Sequence, residues 1–115
     1  MEETDYIEKL KSAYPTEGGE ISNEALALAD EAAHAFPQSA KLWCIRGDLI
    51  LLGAGEPTHE IADALASYEQ AIAVDPKCAE AYEEIGYFYD LVMDDEERAK
   101  PFFRQAELLK GKGSM

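Results

Sequence analysis

Apolar residues recur along this chain at the period of α-helices. In the first segment Ile7, Leu10 and Tyr14 lie three or four positions apart, and this spacing puts their side chains on one helix face. Five later segments show similar spacing, and turn or capping residues separate them. The pattern predicts six helices. They run from a cap at Thr4 to Pro15, from Ser22 or Asn23 to about Phe36, from about Ala40 to Leu52, from a cap at Thr58 to about Val74, from about Ala79 to Val92, and from about Glu96 to Leu109.

Prolines and a glycine set several of the predicted helix ends. Pro15, Pro37 and Pro76 each stop a helix, because the residue before a proline avoids helical geometry. Pro101 lies in the early part of the sixth helix, where it removes one backbone hydrogen bond and predicts a slight kink. We expect Gly111 to end that helix in left-handed geometry.

The third predicted helix is apolar on two sides. These sides consist of Leu42, Ile45, Leu49 and Leu52, and of Trp43, Gly47 and Ile50. A helix with two apolar faces is sandwiched between neighbours, so this helix is expected at the centre of the molecule. Arg46 interrupts the apolar pattern. We expect its aliphatic stem to lie on the core and its charge to reach an acidic neighbour.

Two segments of the chain repeat one spacing of aromatic, glycine and alanine residues. The first reads Trp43-x-x-Arg46-Gly47-x-x-Ile50 and then Ala64-x-x-x-Tyr68-x-x-Ala71-x-x-x-x-Pro76. The second reads Tyr82-x-x-Ile85-Gly86-x-x-Tyr89 and then Ala99-x-x-x-Phe103-x-x-Ala106. Glycine on one helix and alanines on the next allow two helices to cross closely, and the aromatic ring fills the remaining space. A helix pair of this size cannot bury its apolar faces alone, so it is expected to stack on further copies.

These residues resemble the tetratricopeptide repeat (TPR) family, whose signature is Trp-x2-Leu-Gly-x2-Tyr, Ala-x3-Phe and Pro. The two segments match well, and residues 4–37 match weakly, because Lys11 stands where glycine is usual and Ala29 replaces the aromatic residue. Other departures are Arg46 in place of leucine, a longer spacing between Gly47 and Ala64, and Gly111 where a closing proline is usual.

The resemblance implies an all-α fold, a right-handed superhelix of three antiparallel helix pairs. It predicts a single domain over residues 1–110, with repeats at about 4–37, 40–76 and 79–109, followed by a disordered tail at 111–115. In such a superhelix the first helix of each pair lines a concave groove. The resemblance implies that this groove binds a peptide or a helix of a partner protein, and it does not imply catalysis.

The residues expected to line the groove are those of the first helices that avoid the packing faces. They are Asp5, Glu8 and Ser12, then Lys41, Cys44, Asp48 and Leu51, then Glu80, Glu83, Glu84, Tyr87 and Asp90. The groove is therefore predicted to be acidic, with Leu51 and Tyr87 as apolar contacts, and to suit a basic or amphipathic segment. A carboxylate-binding clamp of the kind that some family members use for chaperone tails is not expected, since this surface carries a single lysine, Lys41. The alternative is that these charges only form a solvated helix face.

The net charge agrees with a protein partner. Aspartate and glutamate total 24 against 10 lysines and arginines, which gives −14, and this charge repels nucleic acid and anionic lipid. The same charge has a simpler alternative explanation, which is solubility. The N-terminal residues show no secretory signal, and Cys44 and Cys78 have neither the number nor the spacing of a disulfide framework or a zinc site. A reducing cytoplasm is the expected location.

No arrangement of residues typical of an enzyme or a cofactor site is visible in the sequence. The pairs His34 with Asp30 and His59 with Asp63 each lack a third ligand nearby, so no metal is expected. No catalytic residues, phosphate loop or cofactor are predicted.

Two other functions stay open at this stage. Phe102, Leu108 and Leu109 lie on the last helix, which no further helix covers in the sequence, so this surface is a candidate for self-association into a homodimer. The third function is that of a small chaperone or adaptor for one specific partner, by analogy with acidic proteins of three such repeats.

Overall fold

The computed structural model describes residues 2–14, 22–52 and 61–111, and within these ranges all regular structure is helical. The helices are α1 (Glu3–Ser12), α2 (Asn23–Ala35), α3 (Ala40–Leu52), α4 (Ile61–Val74), α5 (Ala79–Tyr87) and α6 (Glu96–Leu109). A π-helical turn, Phe88–Val92, continues α5. The prediction of an all-α chain is therefore confirmed for the described part. The predicted helix stop at Pro15, the cap at Thr58 and residues 112–115 of the predicted tail lie outside the described residues.

Short polar side chains fix where several helices begin. The Ser22 hydroxyl accepts from the backbone N–H of Ala25 at 3.1 Å, as its predicted capping role requires. The Asp95 carboxylate accepts from the N–H of Arg98 at 3.1 Å and begins α6 in the same way. The predicted cap at Thr4 is wrong. Helix α1 already begins at Glu3, so Thr4 lies in its first turn.

Two residues in left-handed geometry shape the last helix. Gly111 has φ 83°, which confirms that a glycine ends α6 in the conformation that L side chains rarely adopt. Asp94 has φ 53° in the turn before α6, and aspartate is one of the few residues that tolerate this region. This turn redirects the chain between the π turn and α6.

The predicted fifth helix changes its hydrogen-bond pattern in its last turn. The N–H of Met93 donates to the carbonyl of Phe88, five residues back, at 3.1 Å. A π turn is wider than an α turn and shifts the register of the side chains that follow. Phe88 stays buried, whereas the turn ends on Leu91, Val92 and Met93, all of which are exposed.

Helix α3 is the centre of the packing. It contacts α1, α2, α4 and α5, while α5 and its π turn pack mainly on α6. The buried residues of one predicted side are Leu42, Ile45 and Leu49, and those of the other are Gly47 and Ile50. Cys44, which was predicted on neither side, is buried as well, whereas Leu52 is exposed. The core therefore runs along α3 and joins the first helices of the chain to α5.

Glycines allow the two closest helix approaches. A Cβ atom added to Gly47 would lie 2.5 Å from the Tyr68 ring, and one added to Gly86 would lie 2.7 Å from the Phe103 ring. The alanines facing these contacts are Ala64, Ala71, Ala99 and Ala106, and all four are buried. The expected role of glycine and alanine in the helix crossings is confirmed.

We predict that Gly47→Ala destabilises the protein by about 1–2 kcal/mol net, because overpacking a core at a rigid contact costs up to about 3 kcal/mol. Alanine gains about 1 kcal/mol in helix propensity. That gain is smaller than the cost, because the Tyr68 ring is fully buried and its hydroxyl is held by Asp48 at 2.7 Å, so the ring cannot move aside freely. Urea unfolding followed by circular dichroism measures the change.

The matched control is Ala66→Ser, an exposed position on α4. Its free energy of unfolding should stay within about 0.5 kcal/mol of the wild type. A Gly47→Ala variant as stable as the wild type would show that α3 and α4 do not approach as closely as described.

Candidate binding cleft

A cleft lies where α1, α3 and α5 face one another. Its outer part has a volume of about 350 Å³ and is lined by Lys11, Tyr14, Lys41, Ile45, Asp48 and Glu80. An adjoining part of about 240 Å³ shares Tyr14 and Asp48 and adds Leu51, Leu52, Tyr68 and Glu84. These ten residues define the cleft, which combines charged groups, two phenols and aliphatic side chains.

Asp48 lies at the junction of the two parts and accepts two phenol hydrogen bonds. The Tyr14 hydroxyl donates to its Oδ2 atom at 3.0 Å, and the Tyr68 hydroxyl donates to its Oδ1 atom at 2.7 Å. Burial and the neighbouring Asp48 charge raise the pKa of both phenols, so both remain protonated donors. The Asp48 carboxylate is thus held by donors that follow α1 and lie on α4.

Glu84 shares this network and behaves as a weak acid. Burial, a hydrogen bond with Asp48 and repulsion from Asp48 and Glu80 raise the pKa of Glu84 to about 8. Tyr68 opposes this shift, since its hydroxyl also reaches Oε2 of Glu84 at 3.4 Å. At neutral pH Glu84 is therefore mostly protonated and donates to Asp48. The two carboxyl groups carry about one negative charge between them.

Lys41 and Glu80 form an ion pair across the cleft, from α3 to α5. The Lys41 Nζ atom lies 3.0 Å from Oε1 and 3.2 Å from Oε2 of Glu80. Burial by itself lowers the pKa of Lys41, but the hydrogen bond and charge of Glu80 outweigh it, and the pKa is raised overall. Lys41 stays charged and offsets part of the acidity of the cleft.

The structure brings together five of the residues expected in the groove: Lys41, Asp48, Leu51, Glu80 and Glu84. It adds five that the sequence pattern did not indicate, namely Lys11, Tyr14, Ile45, Leu52 and Tyr68. The sequence pattern predicts that the rings of Tyr14 and Tyr68 pack between helices. Their hydroxyl groups were the available signal, because a buried tyrosine hydroxyl usually finds a partner.

Other predicted groove residues lie elsewhere. Cys44 is completely buried, so its side chain belongs to the core and not to the cleft surface. Glu83 pairs with Lys110, which directly follows α6, and Tyr87 meets the Phe103 ring of α6 edge-on at 5.0 Å. These two residues of α5 face α6, because the second helix of the pair packs on that side.

Three more predicted groove residues lie outside the lining of the cleft. Asp5 and Glu8 are exposed on α1, and Asp90 is half-buried in the π turn. Ser12 is exposed and donates to the carbonyl of Glu8 at 3.1 Å within α1. The acidic stripe of the sequence is thus divided over several surfaces.

The residues suggested for self-association differ in their exposure. Phe102 is half-buried and stacks on Tyr89 of the π turn with ring centroids 5.6 Å apart, so this turn covers part of the face that the sequence predicts to be open. Leu109 is also half-buried, whereas 52% of Leu108 is exposed. Of the three, only Leu108 presents a largely exposed side chain.

Arg46 lies on the other side of α3, away from the cleft. Its Nε atom donates to Asp30 at 2.7 Å, its guanidinium reaches the Ser67 hydroxyl, and it lies over the Trp43 ring at 5.9 Å. The expected acidic neighbour is therefore Asp30 of α2. This contact joins α2, α3 and α4.

In the ranges 2–14, 22–52 and 61–111, histidine, cysteine, aspartate and glutamate nowhere gather in a group of three or more that could hold a metal ion. Among the helices described here, each is too short or too polar to cross a membrane.

Comparisons with known proteins add no relative. No protein-family model, no curated protein and no solved structure matches this chain. The family resemblance drawn from the residue spacing therefore stays a prediction.

We predict that the stability of the protein falls as the pH rises from about 5 to 8. The folded state holds a proton on Glu84 up to a pKa of about 8, whereas an ordinary glutamate loses it near 4.5. The folded state therefore binds more protons than the unfolded state in this window, and the free energy of unfolding decreases with pH. Because Glu84 is only partly buried, the loss should be about 1–2 kcal/mol after solvent screening. Urea unfolding at a series of pH values measures it.

Glu84→Gln should remove most of this pH dependence, because glutamine still donates to Asp48 but has no proton to lose. Glu83→Gln is the matched control, since Glu83 is the adjacent residue and faces α6. If Glu83→Gln and Glu84→Gln flattened the pH profile equally, the assignment to the Asp48–Glu84 pair would be wrong.

Proposed function

We propose that the protein is a non-catalytic interaction module, which binds a basic or amphipathic segment of a partner protein in the cleft. The observation that carries this proposal is the composition of the lining. Asp48, Glu80 and Glu84 lie beside the aliphatic side chains of Ile45 and Leu51. Carboxylates next to apolar surface suit a lysine or arginine side chain, which has a charged end on an aliphatic stem.

We further propose that the helices form three TPR-like pairs in a right-handed superhelix. Two observations support this arrangement. The Gly47–Tyr68 approach of α3 and α4 recurs as the Gly86–Phe103 approach of α5 and α6. In addition, α3 contacts both α1 and α5, as expected when the first helices of successive pairs lie side by side. In that arrangement the cleft is the concave surface.

The bound cation is expected to act on the Asp48–Glu84 pair. A positive charge within a few ångströms favours the ionised form of a carboxyl group and lowers its pKa. Binding would therefore release the proton that Glu84 holds at neutral pH. The Asp48–Glu84 pair would therefore carry a second negative charge only when a cation is present to compensate it. Affinity should accordingly rise with pH up to about 8.

A peptide that ends in a free carboxylate fits this cleft poorly. Of the two lysines that line the cleft, Lys41 already pairs with Glu80 at 3.0 Å, and Lys11 is exposed to solvent. Asp48, Glu80 and Glu84 also line the cleft, and these acidic side chains disfavour a further carboxylate. The partner is thus better described by its lysines or arginines than by an acidic tail.

We predict that a short peptide with alternating lysine and leucine residues binds the cleft, and that Glu80→Lys weakens this binding about tenfold or more. The substitution places a cation beside Lys41 and removes a carboxylate, so a basic ligand meets repulsion. Fluorescence anisotropy with the labelled peptide measures Kd. Raising the salt concentration should also weaken binding, since screening reduces charge attraction.

Glu83→Lys is the matched control for this experiment. Glu80 and Glu83 are half-buried residues of α5, and each pairs with one lysine, but Glu83 faces α6 and pairs with Lys110. Its Kd should stay within about twofold of the wild type. Equal loss of binding in Glu80→Lys and Glu83→Lys would contradict the proposal, because only a non-specific charge effect would then remain.

Self-association is the second candidate function, and the exposed apolar side chains near the end of the chain favour it. In this region 73% of Leu91, 54% of Met93 and 52% of Leu108 are exposed. Leu91 and Met93 precede α6 and Leu108 lies in its last turn, so apolar surface is exposed near each end of α6, and such surface can form an interface. If this function holds, light scattering should show a dimer at high concentration that Leu91→Ser or Leu108→Ser dissociates. A monomer at all concentrations would exclude it.

A further inference from the structure

The two cysteines of the chain meet at the boundary between the core and the cleft. Cys44 lies on α3 and is completely buried, and Cys78 directly precedes α5 and packs against the same core. Cys78 is near enough to the Cys44 thiol to contribute to its raised pKa. Both cysteines are in the free thiol form. From the sequence, neither the number nor the spacing of these two cysteines predicts a disulfide framework.

Contacts on both sides hold the two backbone segments together. Lys41 lies one turn before Cys44, and its ion pair with Glu80, two residues after Cys78, measures 3.0 Å. The N–H of Cys78 donates to the carbonyl of Asp75 at 3.0 Å, which fixes the turn that enters α5. The approach of the thiols is thus a consequence of the packing of α5 on α3.

We propose that Cys44 and Cys78 form a reversible disulfide that cross-links α3 to the start of α5 when the protein meets a small disulfide oxidant such as oxidised glutathione. This inference does not depend on the proposed function of the cleft. It concerns a modification of the thiol pair itself. The cross-link would join the two helices that supply Lys41, Asp48, Glu80 and Glu84.

The difference in exposure sets the order of the two steps. Cys78 is half-buried, so its thiolate attacks one sulfur of oxidised glutathione, and one glutathione leaves as a thiolate. Cys44 then gives up its proton and attacks the Cys78 sulfur of the mixed disulfide, which releases the second glutathione. Two protein thiols are oxidised to one disulfide, and the oxidant is reduced to two glutathione molecules.

The buried position of Cys44 makes it unsuited to react first. Burial, followed by the neighbouring Cys78 and Glu80, raises the pKa of its thiol, and a protonated thiol is a weak nucleophile. A glutathione molecule also has no access to a side chain that is completely buried. Cys44 therefore acts as the resolving thiol, close to a sulfur that has already been activated.

The test is oxidation of the folded full-length chain with oxidised glutathione, followed by proteolysis without reductant and mass spectrometry. The expected product is a peptide pair joined through Cys44 and Cys78. Dithiothreitol should reverse it. In concentrated urea the pair is no longer held together, so mixed disulfides with glutathione should replace the internal cross-link.

Cys78→Ser and Cys44→Ala are the control variants, and neither can form the pair. Serine is a favourable residue at a helix N-terminus, so Cys78→Ser should fold normally. Only the oxidised wild type should show a higher Tm, by roughly 10 °C, because the cross-link restricts the unfolded chain. An unchanged Tm after oxidation in both the wild type and Cys78→Ser would overturn the inference.

Two products of the mapping experiment would also overturn it. The first is a folded wild type that carries glutathione on Cys78 and a free thiol at Cys44, because the resolving step would then not occur. The second is a cross-link between chains in place of the internal one. A cross-linked peptide pair with a reversible rise in Tm would support it.

Discussion

One side chain, Tyr68, connects the packing of the helices with the cleft. Its ring lies on Gly47, where an added Cβ atom would come within 2.5 Å, and its hydroxyl donates to Asp48 at 2.7 Å. Gly47 and Asp48 are adjacent in the sequence. Because Gly47 has no side chain, the Tyr68 ring can come close enough for its hydroxyl to reach Asp48. The close approach of α3 and α4 therefore also determines where the central carboxylate of the cleft is held.

The second helix pair shows what this hydroxyl contributes. Gly86 is covered by Phe103 in the way that Gly47 is covered by Tyr68, but phenylalanine has no polar end. The residue after Gly86 is Tyr87, which meets the Phe103 ring instead of a carboxylate. The two crossings are alike in packing, yet only the first places a donor at the cleft. The crossing of α3 and α4 therefore includes a polar contact through the tyrosine hydroxyl, whereas the crossing of α5 and α6, with phenylalanine, is purely apolar.

The charge of the cleft is lower than its acidic residues suggest. Glu84 keeps its proton at neutral pH, because a second ionised carboxyl group beside Asp48 would be repelled in a partly buried place. Lys41 compensates Glu80 directly. The formal net charge of −14 therefore describes the outer surface better than the cleft. A cation that enters the cleft changes its charge state and does not simply meet a preformed negative surface.

The sequence alone determined the all-helical structure of the described residues and the positions of its closest contacts. The apolar periodicity indicated the helices, and Gly111 indicated the end of α6. The spacing of glycine, alanine and aromatic residues indicated where the helices cross. All three features depend on local backbone geometry and on side-chain size. Only the tertiary structure decided which face of α5 meets the cleft. Glu80 and Glu84 lie on that face, whereas Glu83 and Tyr87 face α6. The charged residues of a helix do not indicate which neighbouring helix covers them. The burial of Cys44, the hydrogen bonds to Asp48 and the proton on Glu84 therefore depend on how the helices pack.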